Sequence, residues 1–287
     1  MKRITGIVLI IISAASFGTL AIFGRFLYAD GLDTFTLLFL RFSFAAVVMA
    51  LILILRHEPF PQGKVLLQLV GMGALGYVSQ SFTYLSAIKY ASAGLVALLL
   101  YLYPMFVFVL SVLVLREKIT WLKVTALILA LLGTALTVDP AGGQLNGILL
   151  AIASALIYSV YIIVGTGVMK HVSPVQSSLV IFASAGIVYG ILTGINGAHF
   201  PDTSPGWLGI LGIVLVATVI PVATFLAGLE RIGPTNAAML STLEPVVTVL
   251  LAGLLFGERL ETITILGGGL ILVAVILLTR NEVTTNS

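Results

Sequence analysis

The chain has 287 residues, of which 60% are hydrophobic and only 9% are charged, and it contains no cysteine. Its mean hydropathy is +1.19, which a water-soluble domain of this size could not hide in one core, so the composition excludes a soluble protein. The lack of cysteine excludes disulfides, thiolate metal sites and cysteine nucleophiles. We therefore expect an integral membrane protein whose net charge of +3 matters through its placement.

The N-terminus is predicted to be a first membrane span and not a cleaved signal. The apolar run from Ile4 to about Leu27 is longer than the hydrophobic region of a signal peptide and lacks a small-x-small cleavage site. Loop signals divide the chain into segments of roughly 20 apolar residues, the number needed to cross a hydrocarbon core of ~30 Å. We predict ten helices, at approximately 4–28, 34–55, 65–87, 92–114, 121–138, 145–169, 175–195, 206–229, 235–256 and 262–279.

Basic residues near the span ends predict the orientation of the chain. With the N-terminus inside, the cytoplasmic loops hold Lys2, Arg3, Arg56, Lys64, Arg116, Lys118, Lys123, Lys170, Arg231 and Arg280. The opposite side keeps only Lys89, Arg259 and Arg25. Because Lys and Arg accumulate in cytoplasmic loops, and because the number of spans is even, we expect both termini in the cytoplasm of a cell with the protein in its inner (plasma) membrane.

An internal repeat at an offset of 141 residues extends along the whole chain. Leu99–Lys118 (LLYLYPMFVFVLSVLVLREK) aligns with Leu240–Arg259 (LSTLEPVVTVLLAGLLFGER), so that Pro104 matches Pro245. Each half, 1–139 and 140–287, has five predicted spans, and this odd number forces the second half to enter the membrane inverted. Inverted repeats are typical of secondary transporters, because two similar halves can exchange conformations around a central site. The alternative is an old duplication without mechanistic meaning.

A family resemblance follows from this pattern. Ten spans in two halves, proline-bearing helices 4 and 9 that end in REK (116–118) and GER (257–259), and the short connections 89–93 and 231–235 together resemble the EamA branch of the drug/metabolite transporter superfamily. Within it, the chain is most similar to the YddG-type exporters of aromatic and other amino acids. The resemblance implies an all-α, basket-like bundle of ten helices around a central cavity, with helices 5 and 10 at the periphery, in a monomer or homodimer.

The sequence offers no motif for nucleotide hydrolysis or metal-dependent catalysis. There is no Gly-x-x-x-x-Gly-Lys-Ser/Thr run and no HExxH, and the three histidines, His57, His171 and His199, lie in separate predicted loops. We expect no catalytic residue, no metal, no cofactor and no nucleic-acid partner. The expected partners are the lipid bilayer and a small-molecule substrate.

Helical spacing groups polar and aromatic residues on single faces of the predicted spans. On helix 3, Tyr77, Gln80, Ser81 and Tyr84 recur at i, i+3, i+4 and i+7. A polar stripe at mid-membrane is costly against lipid, so these faces should turn toward a cavity or toward one another; for the hydroxyls, ordinary interhelical hydrogen bonding is the alternative. The predicted substrate-binding residues are Tyr77, Gln80, Tyr84, Tyr101, Tyr103, Tyr158, Tyr161, Ser241 and Glu244.

Two ionisable residues stand within predicted spans. Glu244 lies about three turns from the Glu258 end of helix 9, hence deep in the membrane, where a carboxylate must be protonated, paired or bathed by a cavity. We predict that it couples protons or contacts a substrate ammonium, the alternative being a structural carboxylate. Its counterpart in the first half is Tyr103. Arg41 on helix 2 is expected to snorkel or to bond to a helix, and not to touch substrate.

The leading hypothesis is a secondary-active transporter that exports neutral amino acids, aromatic ones foremost, by alternating access. Tyrosine ring faces would meet an apolar side chain, while Gln80, Ser241 and Glu244 would bond the polar end. Pro104 and Pro245 are the predicted hinges, because proline removes a backbone donor from its helix. The alternatives are a multidrug or other-metabolite carrier of the same fold, a passive channel and, from a different class, a non-transporting membrane protein such as a lipid-modifying enzyme, a sensor or a partner subunit.

Overall fold

The computed structural model describes residues 2–91, 93–137, 144–256 and 262–284. Every regular element in these ranges is helical, as the composition predicts. The predicted breaks at 139–143 and 257–261, including Glu258 and Arg259 at the end of predicted helix 9, lie outside the described residues.

Interruptions at glycine and proline divide two of the predicted spans in the first half. Predicted helix 1 breaks at Gly18 and Thr19, and predicted helix 4 breaks at residues 101–102, just before Pro104. Proline lacks the N–H that would bond to the carbonyl of Leu100 in a continuous helix. The elements are α1 (Lys2–Phe17), α2 (Leu20–Ala29), α3 (Thr34–Leu55), α4 (Gly63–Gly71), a π-helical stretch (Met72–Tyr77), α5 (Val78–Ile88), α6 (Ala93–Leu100), α7 (Tyr103–Leu115) and α8 (Trp121–Thr137).

The second half is interrupted at prolines in the same way. A 3-10 turn precedes Pro245 at the repeat position of the break before Pro104, and a π-helical stretch ends just before Pro221. The elements are α9 (Leu145–Val168), α10 (Pro174–Asn196), α11 (Ser204–Val214), the π-helical stretch (Leu215–Val219), α12 (Ile220–Ile232), α13 (Pro234–Leu240), the 3-10 turn (Ser241–Leu243), α14 (Glu244–Phe256) and α15 (Thr262–Thr284).

Among the described residues, eight helical stretches are long and apolar enough to cross a membrane. They are Arg3–Ala29, Thr34–Leu55, Gly63–Ala87, Leu95–Leu115, Leu145–Val168, Pro174–Asn196, Ser204–Ile232 and Pro234–Phe256. Two further apolar helices, Trp121–Leu136 and Thr262–Leu278, are shorter. All ten lie where the sequence predicts helices, while a crossing by all ten stays a prediction.

Side-chain caps determine where α3 and α10 begin. The Asp33 carboxylate accepts hydrogen bonds from the N–H groups of Phe35 (2.8 Å) and Thr36 (3.1 Å). Partial burial works to raise the pKa of Asp33, but these bonds and the Thr36 hydroxyl outweigh it and hold the pKa below its ordinary value. Ser173 and Gln176 form a reciprocal capping box at the start of α10. Both caps satisfy N–H groups that a helix leaves without partners.

Four long helix pairs build the bundle. α3 packs along α10, α8 along α15, α1 along α12, and α5 along α9. Glycine permits the closest approaches: a Cβ on Gly133 of α8 would lie 2.6 Å from the carbonyl oxygen of Gly267 on α15, and one on Gly73 would lie 2.5 Å from that of Ile181 on α10. Any larger residue at these two positions would push the helices apart, so each glycine is required by its partner helix.

Candidate functional site

A cavity of about 750 Å³ lies inside the bundle, a size typical of small-molecule sites. Tyr28, a wall residue that is 47% exposed, marks the end at which the cavity reaches the surface, next to the loop that contains Asp33. Aliphatic and aromatic side chains form most of the wall. The wall includes Phe17, Arg25, Tyr28, Arg41, Tyr77, Gln80, Ser81, Tyr84, Ala97, Leu100, Tyr101, Tyr103, Tyr158, Glu244, Pro245 and Thr248.

The polar stripe predicted on helix 3 lies in this wall. Tyr77, Gln80, Ser81 and Tyr84 all line the cavity. The Gln80 side chain donates to the Ser154 hydroxyl (3.2 Å), which in turn donates to the Gln80 backbone carbonyl (3.0 Å). Gln80 therefore meets both expectations for the polar stripe, because it faces the cavity and also forms an interhelical hydrogen bond that joins α5 to α9.

Five of the predicted tyrosines form a continuous row of rings. Ring centroids are separated by 6.4 Å between Tyr101 and Tyr103, 4.9 Å between Tyr103 and Tyr158, 5.9 Å between Tyr158 and Tyr161, and 5.8 Å between Tyr161 and Tyr77. Four of them line the cavity, whereas Tyr161 is buried behind Tyr77 and Tyr158. Edge-to-face and offset ring contacts of this kind hold the rings in place.

Ser241 and Pro104 also lie outside the wall. The Ser241 hydroxyl donates to the carbonyl of Ala237 in its own helix (2.9 Å), and the side chain is buried next to Tyr103. Pro104 is buried at the start of α7, while Pro245, its repeat partner, lines the cavity. Ser241 therefore does not line the cavity, and its contact with a substrate stays a prediction.

Glu244 stands at the start of α14 and lines the cavity. Tyr101 and Arg41 line the same cavity, and the positive charge of Arg41 attracts the Glu244 carboxylate. One turn further along α14, the Thr248 hydroxyl donates to the carbonyl of Gly18 (3.0 Å), at the break between α1 and α2. Glu244 thus places an ionisable group in the cavity on a helix that is tied to the opposite half.

Arg41 is the residue whose position sequence reasoning missed. It bonds to a helix as expected, but it also lines the cavity, although its side chain is only 5% exposed. Its Nε donates to the Thr218 hydroxyl (2.6 Å) and its Nη2 donates to the Ala217 carbonyl (3.3 Å). In an α-helix the N–H of residue 221 would bond to that carbonyl, and Pro221 has none. The signal that could have located Arg41 is therefore Pro221, which leaves an acceptor in the π-helical stretch before α12.

Two further wall residues, Arg25 and Tyr28, are not among the predicted site residues, although they share helical spacing with the wall residues Ala21 and Gly24. Both lie near the end of α2, where the cavity reaches the surface. The Arg25 guanidinium carbon lies 4.0 Å from the ring centroid of Phe256, which is a cation–π contact. The signals that could have located this position are the basic residue inside an apolar run and its helical spacing from Tyr28.

The end of the cavity opposite Tyr28 is closed by contacts between α7 and α13. The Tyr103 hydroxyl donates to the carbonyl of Ala238 (3.3 Å), and all seven residues of α13 are buried. Beyond α7, the Thr235 hydroxyl donates to the Glu117 carboxylate (2.5 Å), which also forms an ion pair with Lys123. These polar contacts join the first half of the chain to the second.

The groups in the wall offer non-covalent binding through tyrosine rings, hydroxyls, one amide, two guanidinium groups and one carboxylate. Within the described ranges, no three His, Asp or Glu side chains come together in a way that could hold a metal ion.

Comparison with known proteins was made by sequence and by structure. The sequence model of the EamA-like transporter family matches residues 4–139 and, separately, residues 145–280. An uncharacterized transporter of Archaeoglobus fulgidus is 29% identical over 276 residues, which cover 94% of this chain and 95% of that protein. The uncharacterized transporter YcbK of Bacillus subtilis is 24% identical over 280 residues, covering 92% and 89%.

A solved crystal structure shares the fold. It superimposes with a TM-score of 0.84 at 21% sequence identity, over 99% of this chain and 100% of the other. At this identity the likeness concerns the fold alone.

Proposed function

Because this chain belongs to the EamA-like transporter family, we propose that it is a secondary-active exporter of aromatic and other neutral amino acids that works by alternating access. Family membership makes it a membrane transporter and not an enzyme. The proposal extends to a YddG-type substrate range, to ten spans arranged as two inverted halves, 1–139 and 140–287, and to an inner membrane with both termini in the cytoplasm. The positive-inside distribution of Lys and Arg supports that orientation.

The helix pairing supports the inverted repeat. Under the offset of 141 residues, α1 corresponds to α9, and α5 corresponds to α12. Exchanging the halves therefore converts the α1–α12 pair into the α9–α5 pair, and converts α3–α10 and α8–α15 into themselves. All four pairs occur in the bundle. An accidental duplication would not have to reproduce this pattern.

Individual contacts repeat as well. The Ser13 hydroxyl donates to the carbonyl of Pro221 (2.8 Å), and at the equivalent positions the Ser154 hydroxyl donates to the carbonyl of Gln80 (3.0 Å). A Cβ on Gly6 would press on Arg231 and Ile232, and one on Gly147 would press on the equivalent residues Tyr90 and Ala91. Two halves that make the same contacts can exchange conformations at little cost, which is what alternating access by inverted repeats requires.

The two ends of the cavity differ although the repeats match. α13 packs on α1 and α12, and also on α7. Its repeat partner α6 packs on the equivalent helices α9 and α5, while Ala97 and Leu100 of α6 line the cavity. If α6 and α13 exchanged these environments, the Tyr28 end would close and the opposite end would open. This supports a transport cycle between two such states, with Pro104 and Pro245 as the proposed hinges.

The five tyrosines that line the cavity are the observation that carries the substrate proposal. Rings at 77, 84, 101, 103 and 158 present aromatic faces and edges to the cavity. Such a surface suits an aromatic or aliphatic side chain, and its hydroxyls, together with Gln80, suit the polar end of an amino acid. A free carboxylate at Glu244 further suits an ammonium group.

The test uses purified protein in liposomes that are preloaded with labelled phenylalanine, tryptophan, threonine or methionine. We expect faster release of the labelled amino acid than from protein-free liposomes, and still faster release by counterflow when unlabelled amino acid is present outside. If none of these compounds is released faster than from protein-free liposomes, the amino-acid proposal is wrong. Competition by a panel of lipophilic cations and neutral drugs would then identify the second candidate, a multidrug carrier, which the mainly apolar wall also favours.

A further inference from the structure

Two opposite charges face the interior of the cavity. Three charged residues line the described wall, and one of them, Arg25, is exposed near the surface end and in contact with the Phe256 ring. The others are Arg41, which is almost fully buried, and Glu244, which attracts it electrostatically. Burying a charge in a membrane is costly unless an opposite charge or strong hydrogen bonds compensate it, so both residues need partners in every state of the transporter.

The guanidinium of Arg41 is held rigidly and retains donors for a ligand. An arginine carries five N–H donors. Thr218 and Ala217 take two of them, on Nε and Nη2. Because the π-helical stretch Leu215–Val219 fixes the near edge of the group, the remaining donors are preorganised, and an arginine with two parallel N–H groups binds a carboxylate bidentately.

Glu244 is arranged for the opposite charge. It lines the same cavity as four tyrosines of the row, Tyr77, Tyr101, Tyr103 and Tyr158. A carboxylate with neighbouring aromatic faces binds an ammonium group through charge and cation–π attraction. A ligand with only a negative charge would be repelled by Glu244, and a ligand with only a positive charge would be repelled by Arg41. Either ligand would leave one of these two buried charges without an opposite charge.

We propose that Arg41 binds the α-carboxylate of the substrate while Glu244 binds its α-ammonium, so that the cavity selects zwitterions over molecules that carry a single charge. The inference rests on the proposed function and names the chemistry by which that site recognises amino acids. The zwitterion supplies an opposite charge to Arg41 and another to Glu244, which compensates both charges of the wall at once.

The test compares three ligands by isothermal titration calorimetry with the purified protein. L-phenylalanine has both charges, L-phenylalaninamide lacks the carboxylate, and L-3-phenyllactate lacks the ammonium. The unaltered protein should bind phenylalanine at least tenfold more tightly than either analogue. Arg41→Gln should weaken phenylalanine binding tenfold or more and leave phenylalaninamide within about twofold, and Glu244→Gln should abolish the preference for phenylalanine over phenyllactate.

Matched controls separate binding from folding. Arg56→Gln removes an exposed cation that does not line the cavity, and it should leave the ratios among the three ligands unchanged. Arg41→Lys keeps the charge but loses the bidentate geometry, so it should retain part of the preference for a carboxylate. A variant that merely disturbs the fold would weaken all three ligands by the same factor, and the ratios would stay constant.

The outcomes distinguish this inference from the proposed function. If phenylalanine binds and is transported, but phenylalaninamide and phenyllactate bind as tightly to the unaltered protein, the zwitterion inference is wrong and amino-acid export stands. Equal effects of Arg41→Gln on all three ligands would also overturn it. If no neutral amino acid binds or is transported, the proposed function fails and takes the inference with it.

Discussion

Removing the carboxylate of Glu117 should open the closed end of the cavity. In the structure this carboxylate accepts a hydrogen bond from the Thr235 hydroxyl across the two halves, whereas its ion-pair partner Lys123 belongs to the same half. Of these two contacts of the Glu117 carboxylate, only the hydrogen bond from Thr235 is therefore broken when the halves separate. A hydrogen bond to a charged group contributes about 1.5–3 kcal/mol. With about 2 kcal/mol lost in Glu117→Ala, the population of the open state should rise about 30-fold.

The absence of cysteine from the chain makes this measurable. Ser241→Cys is nearly isosteric and places a thiol at a position that is 5% exposed, below Tyr103. A membrane-impermeant maleimide added from the side of the N-terminus should label it faster in Glu117→Ala. Thr235→Val removes the same bond from the other partner and should have a similar effect.

Glu230→Gln is the control, because Glu230 is an acidic residue with an exposed ion pair to Arg231. It removes the same charge on the same side without touching the contacts between α7 and α13. If Glu117→Ala and Thr235→Val are labelled at the rate of this control, the hydrogen bond between Thr235 and Glu117 does not hold that end of the cavity closed. Labelling that rises equally from both sides of the membrane would indicate unfolding and would also contradict this role of the bond.

Three further expectations concern other parts of the fold. Gly73→Ala should lower the unfolding free energy by about 1–3 kcal/mol, since its Cβ would meet the Ile181 carbonyl, whereas Gly71→Ala, in open space on the same span, should not destabilise; thermal unfolding in detergent compares them. Pro104→Ala and Pro245→Ala should slow transport more than they reduce folded yield, and normal transport by both variants would rule out the hinges. Glu244→Gln should flatten the pH dependence of transport, because it removes the ionisable group from the cavity; an unchanged pH profile would exclude proton coupling through Glu244.

Local signals account for the success in locating helices. The predicted bounds of the second helix, 34–55, agree with α3 because Asp33 caps its first turn and the apolar run ends at Arg56. The break at Gly18 could not be predicted, since the need for glycine there comes from Val247 of α14, against which a Cβ at position 18 would lie 2.8 Å away. Sequence distance hides such a contact from any reading based on periodicity.

The same contrast between local signals and tertiary contacts applies to the residues of the cavity wall. Tyr77, Gln80 and Tyr84 were correctly placed on one face because helical spacing alone determines which residues share a face. Tyr161 and Ser241 belong to suitable helices, yet packing of neighbouring rings and an intrahelical hydrogen bond remove them from the wall. Helical spacing groups residues by face, but it does not determine which face meets a cavity and which meets another helix.

The sequence by itself therefore determined the membrane class, the positions of the helices and the repeat that contains the tyrosines and Glu244, since hydropathy and periodicity are local properties of the chain. Only the tertiary structure decided that Arg41 reaches the cavity wall, because its acceptors lie 176 and 177 residues away in the π-helical stretch Leu215–Val219. It also decided which end of the cavity is closed. Two matching repeats encode two equivalent ends, and the contact that distinguishes them, α7 against α13, exists only once the chain has folded.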